Sequence, residues 1–402
     1  MRLDVSLGPV HVGTLAFEYG DRSAFRFAAS YLEAAERPTL GRFFEDHLQP
    51  DWEYSRPQSR LPSFFQNYLP EEFSALRELI ARRAGVKPHR EFALLGVLGG
   101  DLPGAIVVRP EGEEDGGDAD SDRPPDGPLD PAGPLRFSLA GVQLKFSVVR
   151  NETRFTLPAS GRGGHWIVKL PDRDHIDVPR NEHAMLTWAR ACGIAVPDFE
   201  LVEVASIEGL PSELSFKESH ALAIRRYDRT ISGRVHQEDF AQVLDVPARD
   251  RYEGGNFETI ARIVRTVCGD EDFEQLIRRY VFMVLSGNGD AHLKNWSFVY
   301  PDGRRARLSP AYDLVCTAAY PDVDATLALR LGKNRVFQEV RLLHFERLAD
   351  KAGADPDAVA SLVRATADAI RTSWAAVRAS VPLAADAAAA VERHLASVQL
   401  GQ

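Results

Sequence analysis

The chain has 402 residues, 44% of them hydrophobic and 26% charged, a composition that excludes a disordered or fibrous chain and leaves room for several globular domains. Its formal net charge of −10 excludes attraction of the whole chain to a polyanion, so contact with DNA is expected only through a basic partner. No apolar run approaches the roughly 20 residues that span a bilayer. The start, Met1–Pro9, lacks a long apolar core behind a basic end, so a cytoplasmic protein without membrane contact is expected.

Residues Val10–Phe17 and Ser23–Phe27 alternate apolar and polar around Gly20-Asp-Arg22, which predicts a hairpin. Glu71–Arg83 carries apolar residues at helical spacing, with acids in the first turn and arginines in the last. A short helix over Phe92–Leu98 and a strand over Gly104–Val108 complete a small α+β domain, residues 1–109. Composition then shifts: 110–134 is nearly all acidic, Gly and Pro, and cannot bury enough apolar surface to offset ordering entropy. A solvated linker is favoured there over an acidic DNA mimic.

Beyond it, Leu135–Val149 is strand-like with a small-residue turn, and Trp166–Leu170 is an apolar strand carrying Lys169. Asn181–Cys192 predicts a helix that Gly193 ends, followed by strands over Phe199–Val204 and Ala221–Tyr227. From about Gln237 the pattern becomes helical, with segments at Phe257–Val267, Phe273–Leu285, Val340–Lys351 and Pro356–Ser380. The three cysteines, Cys192, Cys268 and Cys316, are far apart and read as reduced core or near-core residues.

Two stretches carry chemistry: Asn288-Gly-Asp-Ala-His-Leu-Lys-Asn295 and Ser309-Pro-Ala-Tyr-Asp-Leu314. Asp290 and Asn295 stand in the Asp-x-x-x-x-Asn spacing of a phosphoryl-transfer loop, and Asp313 follows after a hairpin at Pro301-Asp-Gly303. Gly287, Asn288 and Asp290 alone are also explained by turn chemistry, and Asp313 alone by a cap or an ion pair. Together, Asp290 suits the base that deprotonates a hydroxyl, while Asn295 and Asp313 suit Mg²⁺, which takes one or two protein oxygens and fills its shell with phosphates and water. Lys169 is either a snorkelling strand lysine or a phosphate partner paired with Glu182; Glu182 is equally a first-turn acid serving the helix dipole. His292 either touches the γ-phosphate or is a satisfied structural histidine. Arg225-Arg-Tyr-Asp-Arg229 reads as a connector whose backbone meets adenine, with Arg225 and Tyr227 flanking it, or as a basic surface strand end. Ser138-Leu-Ala-Gly-Val-Gln143 has a single glycine, so it is a weak phosphate loop by composition, though its backbone amides can cradle phosphate.

These motifs resemble the HipA-like serine/threonine kinases, toxins of HipBA toxin–antitoxin modules. The resemblance runs through Phe64–Pro70, Gly99–Ala105, Phe137–Lys145, Ile167–Pro171, Asn181-Glu182, Arg226–Arg229, Gln237–Asp239, the octapeptide and Tyr312-Asp313. It implies an α+β, two-lobed protein-kinase-like fold with an extra N-terminal subdomain (1–109), a linker (110–134), a nucleotide-binding lobe (135–235) and a mostly helical lobe (236–402). It implies ATP and Mg²⁺ as cofactors, with Asp290 as base, Asn295 and Asp313 as metal ligands and Lys169 on phosphate. Ser138, Ala140, Gly141, Val142 and Gln143 fall in the phosphate loop, and Ser138 is where family members autophosphorylate. The implied partners are a HipB-like helix-turn-helix antitoxin and a protein substrate, glutamyl-tRNA synthetase being the family's best-known one. Leu144 and Arg225 stand where acids are common in the family, and Pro38–Gly41 departs from its N-terminal signature. A small-molecule phosphotransferase and a non-catalytic module that binds a HipB-like repressor are the rival functions.

Overall fold

Alternation of apolar residues sets the first sheet: in β1 (Arg2–Leu7), Leu3, Val5 and Leu7 all point to one buried face. The computed structural model of the chain describes residues 1–18, 22–49, 52–55, 61–113, 144–151, 154–158, 163–211, 214–323 and 325–401. Ser138, Ala140, Gly141, Val142, Gln143 and most of the acidic stretch, 114–134, lie outside them. The described chain divides into two units: Met1–Leu170 with Val202–Arg249 and Val299–Arg305, and Pro171–Leu201 with Asp250–Phe298 and Ala306–Gln402.

In the first unit, β1 pairs antiparallel with β2 (Val10–Phe17), which pairs with β3 (Ser23–Phe27), placing Ala16 opposite Ala24 as the expected hairpin requires. β4 (Glu53–Ser55) and β5 (Ile106–Pro110) complete the order β4-β3-β2-β1-β5. A cluster of aromatic rings fills the core beneath this sheet, with Phe44 and Phe64 centroids 4.9 Å apart and Phe25 and Phe65 5.0 Å apart. Helix α1 (Ala75–Ala84) starts four residues later than the spacing predicts, because Phe73 takes a left-handed φ of 66° and Ser74 caps the helix by accepting from Arg77 N at 3.2 Å. Gly85, also left-handed at φ 66°, ends it, and α2 spans Glu91–Leu98.

A second sheet in this unit contains β6 (Lys145–Asn151), β7 (Arg154–Thr156), β8 (Trp166–Lys169) and β9 (His220–Arg225). β8 runs antiparallel between β6 and β9, with Lys145 and Leu222 on either side of Lys169. The strand β10 (His236–Asp239) follows.

The second unit is helical. Its helices are α3 (Val178–Ala191), α4 (Phe257–Cys268), α5 (Asp270–Ser286), α6 (Leu342–Ala352), α7 (Pro356–Ser380) and α8 (Ala385–Ser397). α5, nearly apolar in its second half, lies against α4, α7 and α8, and α7 also meets α3 and α6. The Trp188 ring of α3 sits 4.5 Å from that of Trp374 on α7 and donates through Nε1 to Ile370 O at 3.1 Å. α3 begins three residues before the predicted Asn181, since Pro179 is fit for a first turn. Glu182 is thereby outside the first turn, on a buried face, which removes the helix-dipole reading. All three cysteines are free thiols; burial pushes that of Cys316 up to about 12. Among the described residues no helix is long and apolar enough to cross a membrane.

Candidate active site

The end of α5 builds the site. Gly287 caps the helix with a left-handed φ of 73°, and a Cβ there would lie 2.9 Å from the Ala318 Cβ, so the position suits glycine alone. The turn that follows is closed by its own side chains. Asp290 N donates to Asn288 Oδ1 at 3.0 Å, and Asp290 O accepts from His292 N at 2.8 Å and Asn295 Nδ2 at 2.9 Å. Leu293–Asn295 form a short 3-10 turn that leads into the apolar strand Ser297–Tyr300. The hairpin predicted at Pro301–Gly303 is present: Asp302 Oδ1 accepts from Arg304 N and Arg305 N, Gly303 has φ 78°, and Ser309 N donates to Ser297 O at 2.9 Å.

Asp313 returns to this loop. Asn288 Nδ2 donates to Asp313 O at 3.3 Å, and Tyr312 donates its hydroxyl to Lys294 O at 2.9 Å. Asp313 itself has a left-handed φ of 53°, a conformation that costs about 1 kcal/mol or more for a non-glycine residue unless its neighbours fix it. Those neighbours are present. Thr317 Oγ1 donates to Gly287 O at 3.0 Å and accepts from Gly289 N at 2.7 Å. Asn181 of α3, only 1% exposed, holds Cys316 at both ends, accepting from its N–H at 2.9 Å and donating to its carbonyl at 3.1 Å. The Asp290 side chain is exposed and Asn295 is buried, while Asp313 lies between these extremes.

The donor chemistry fits a magnesium ion. Asn295 uses its Nδ2 on Asp290 O, which turns the amide so that Oδ1 faces away from that bond. With the Asp313 carboxylate this makes a pair of hard oxygen donors, the number Mg²⁺ takes when phosphates and water complete its shell. Among the described residues no group of three or more His, Cys, Asp or Glu side chains forms a metal cage.

His292 is buried, its ring edge-on to Tyr252 with centroids 5.0 Å apart. Burial pushes its imidazole down to about 3, and Arg251 and Lys294 add to the shift, so the ring is neutral. Tyr252 donates its hydroxyl to Asp290 Oδ1 at 2.6 Å. Its only trace in the sequence is a tyrosine inside the polar, glycine-ended segment Arg251-Tyr-Glu-Gly-Gly255, which spacing does not single out.

In the other unit, Lys169 ends β8 and is buried, and Arg225 ends β9 exposed. Tyr227 follows, partly buried. The surface-strand reading of this connector fails for Arg226, Asp228 and Arg229, which are buried together with Asp101. Arg229 Nη2 reaches Asp101 Oδ1 at 2.7 Å, and Arg226 Nη1 reaches the same atom at 3.4 Å. Asp228 receives Arg226 Nη2 at 2.9 Å, Arg229 Nη1 at 2.9 Å and Gly104 N at 2.7 Å. Burial alone would raise both carboxyls, but the two guanidiniums outweigh it and hold them below the usual carboxylate range.

Residues 137–374 match the family model for the HipA-like C-terminal domain, and residues 3–109 match that for the HipA N-terminal domain. The chain belongs to the HipA family. Y4dM of Sinorhizobium fredii, provisionally named a kinase, is 43% identical over 99% of this HipA-family chain and 97% of its own length. The serine/threonine-protein kinase toxin HipA of Shewanella oneidensis is 26% identical over 82% of this chain and 78% of its own. The fold is that of HipA in the S. oneidensis MR-1 complex of HipA, HipB and operator DNA, with a TM-score of 0.71 at 22% identity, covering 98% of this chain and 95% of that one. The α+β, kinase-like architecture read from the motifs is therefore the observed one. In this HipA-family chain the residues expected to act on the phosphoryl group, Asp290, Asn295 and Asp313, lie on two segments joined by the Asn288 and Tyr312 bonds.

Proposed function

We propose that this HipA-family chain is an ATP·Mg²⁺-dependent serine/threonine protein kinase and the toxin of a toxin–antitoxin pair. The observation that carries it is the bond from Asn288 Nδ2 to Asp313 O, which ties the Asp290–Asn295 loop to the Asp313 segment. Asp290, exposed on a fixed backbone, accepts the proton of an attacking hydroxyl. Asn295 Oδ1 and the Asp313 carboxylate hold the metal. Bound Mg²⁺ supplies charge neutralisation on the transferring phosphoryl group. Lys169 and the backbone amides of Ala140-Gly-Val-Gln143 would take the nucleotide phosphates, with Glu182 and His292 as further candidates for the nucleotide site. The backbone around Arg225 and Tyr227 meets adenine.

Ser138 is the autophosphorylation site. A phosphoserine adds about −1.5 to −2 charges to that loop and repels the ATP phosphates, which shuts the enzyme off. The partner is a HipB-like helix-turn-helix antitoxin, in keeping with the complex in which the S. oneidensis homologue was solved, and DNA is contacted through it. The net charge of −10 favours that division of labour. The substrate is a cytoplasmic protein, with glutamyl-tRNA synthetase the first candidate through the family resemblance.

Induced expression in bacteria tests this. Wild-type chain should arrest growth and add phosphate to a small set of serines or threonines, Ser138 among them, while Asp290→Asn does neither. Equal arrest by both would refute the kinase mechanism and favour a binding module.

A further inference from the structure

Hydrogen bonds to Asn288, His292 and Asn295 fix the backbone of Asp290, and the orientation of its exposed carboxylate is set separately, by the choice of rotamer. The Tyr252 hydroxyl meets that carboxylate at Oδ1, 2.6 Å away, within the range of a charge-assisted O–H···O⁻ bond. Tyr252 is itself held from several sides. Leu293 N donates to Arg251 O at 3.3 Å, which ties the tyrosine's turn to the loop that carries Asp290. Arg335 Nη2 donates to Tyr252 O at 3.1 Å, fixing the main chain. The ring is flanked by the edge-on His292 and by the Arg251 guanidinium, 4.7 Å above its centroid.

We infer that Tyr252 is the positioning residue of Asp290: its hydroxyl pins one carboxylate oxygen so that the group presents its remaining acceptor capacity to the substrate hydroxyl. A carboxylate offers about four lone-pair sites, so one donor on Oδ1 does not saturate it. The gain is orientation, since a reacting group misplaced by about 1 Å loses on the order of a hundredfold in rate. The inference rests on Asp290 being the base, and it adds a residue that neither the octapeptide nor its spacing contains. It also separates Tyr252 from a phosphate acceptor: the hydroxyl donates to the base as part of the resting site and is not consumed.

The test uses the full-length chain and Tyr252→Phe, which keeps the ring and its packing and deletes only the donor. Initial rates of phosphate transfer from labelled ATP are measured alongside the thermal midpoint. Tyr252→Phe should lower kcat about tenfold, with the KM for ATP within about twofold of wild type and the midpoint unchanged. A purely structural role would instead shift the midpoint or spare kcat. A wild-type kcat in Tyr252→Phe, with Asp290→Ala inactive, overturns the positioning role and leaves Asp290 as base. Phosphate mapped onto Tyr252 also overturns it, because the hydroxyl would then be an acceptor. Transfer by Asp290→Ala at the wild-type rate overturns the base assignment and the positioning role with it.

Discussion

Asp101→Ala should be the most damaging single change in the first unit. Asp101 is fully buried and accepts from Arg229 Nη2, Arg226 Nη1 and Gly163 N, the last at 3.0 Å. Its removal leaves two buried guanidiniums facing Asp228 alone, an uncompensated positive charge. Breaking a buried pair from one side costs about 3–5 kcal/mol, and the stranded Gly163 N–H adds about 1 kcal/mol. For a unit of this size each kcal/mol lowers the midpoint by roughly 2–4 °C, so Asp101→Ala should melt on the order of 10 °C below wild type. Thermal unfolding followed by circular dichroism reads this directly. The pH dependence gives a second reading. Both carboxyls are held low in the folded state, so their contribution is present above the ordinary value of 3.8 and is lost as pH falls through the folded values. Asp101→Ala should remove part of that acid dependence. A variant within about 1 kcal/mol of wild type, with the same acid limb, would refute the claim that Asp101 balances the arginines.

Two further outcomes follow from buried groups. Asn181→Ala strands the N–H of Cys316 and leaves its carbonyl to Ala319 N at 3.3 Å, which should cost about 1–3 kcal/mol and loosen the segment that carries Asp313. It should raise the KM for Mg·ATP and lower the stability of the second unit, which holds both residues, as titration of initial rates and chemical denaturation would show. Glu238 on β10 accepts from the Tyr300 hydroxyl and from Arg42 N at 2.8 Å, while its Oε2 is buried without a hydrogen-bond partner. Burial pushes its carboxyl up to about 8, so the folded state keeps a proton the unfolded state releases above 4.5. Stability from this group is thus fully present at low pH and is lost as pH rises through about 8. Glu238→Gln should gain about 1–2 kcal/mol over wild type at pH 8 relative to pH 6, measured by urea unfolding at both pH values.

How much of this was legible depends on the reach of each contact. The bounds of α7, Pro356–Ser380, follow from local spacing, and the hairpin of β2 and β3 follows from alternation. Asp290 and Asn295 stand out in the sequence by their short spacing, while the tie of the Asp313 segment to that loop appears only in the fold, through the bond from Asn288 Nδ2 to Asp313 O. The starts of α1 and α3 were not, since they depend on the backbone angle at Phe73 and on a turn ending at Asp177, which apolar periodicity does not report. Long-range partners were hidden for another reason. Asp101 and Arg229 meet across 128 positions, and Asn181 and Cys316 across 135, so no local pattern pairs them. A surface-strand alternative stayed open for Arg226 and Arg229 because a sequence shows charge without showing its counter-charge. Tyr252 has the same history: its partner Asp290 lies 38 positions away.

If this chain is the proposed kinase, Asp290, Asn295 and Asp313 act together on a phosphoryl group. The most direct measurement is transfer of the γ-phosphate of labelled ATP to protein by purified wild type, Asp290→Ala and Asp313→Ala, with Mg²⁺ and with chelator. Wild type with Mg²⁺ should place label on serine or threonine, and either variant or chelation should cut it by at least about a hundredfold. Label at the wild-type level in Asp290→Ala, or none in wild type with Mg²⁺, would contradict the proposal.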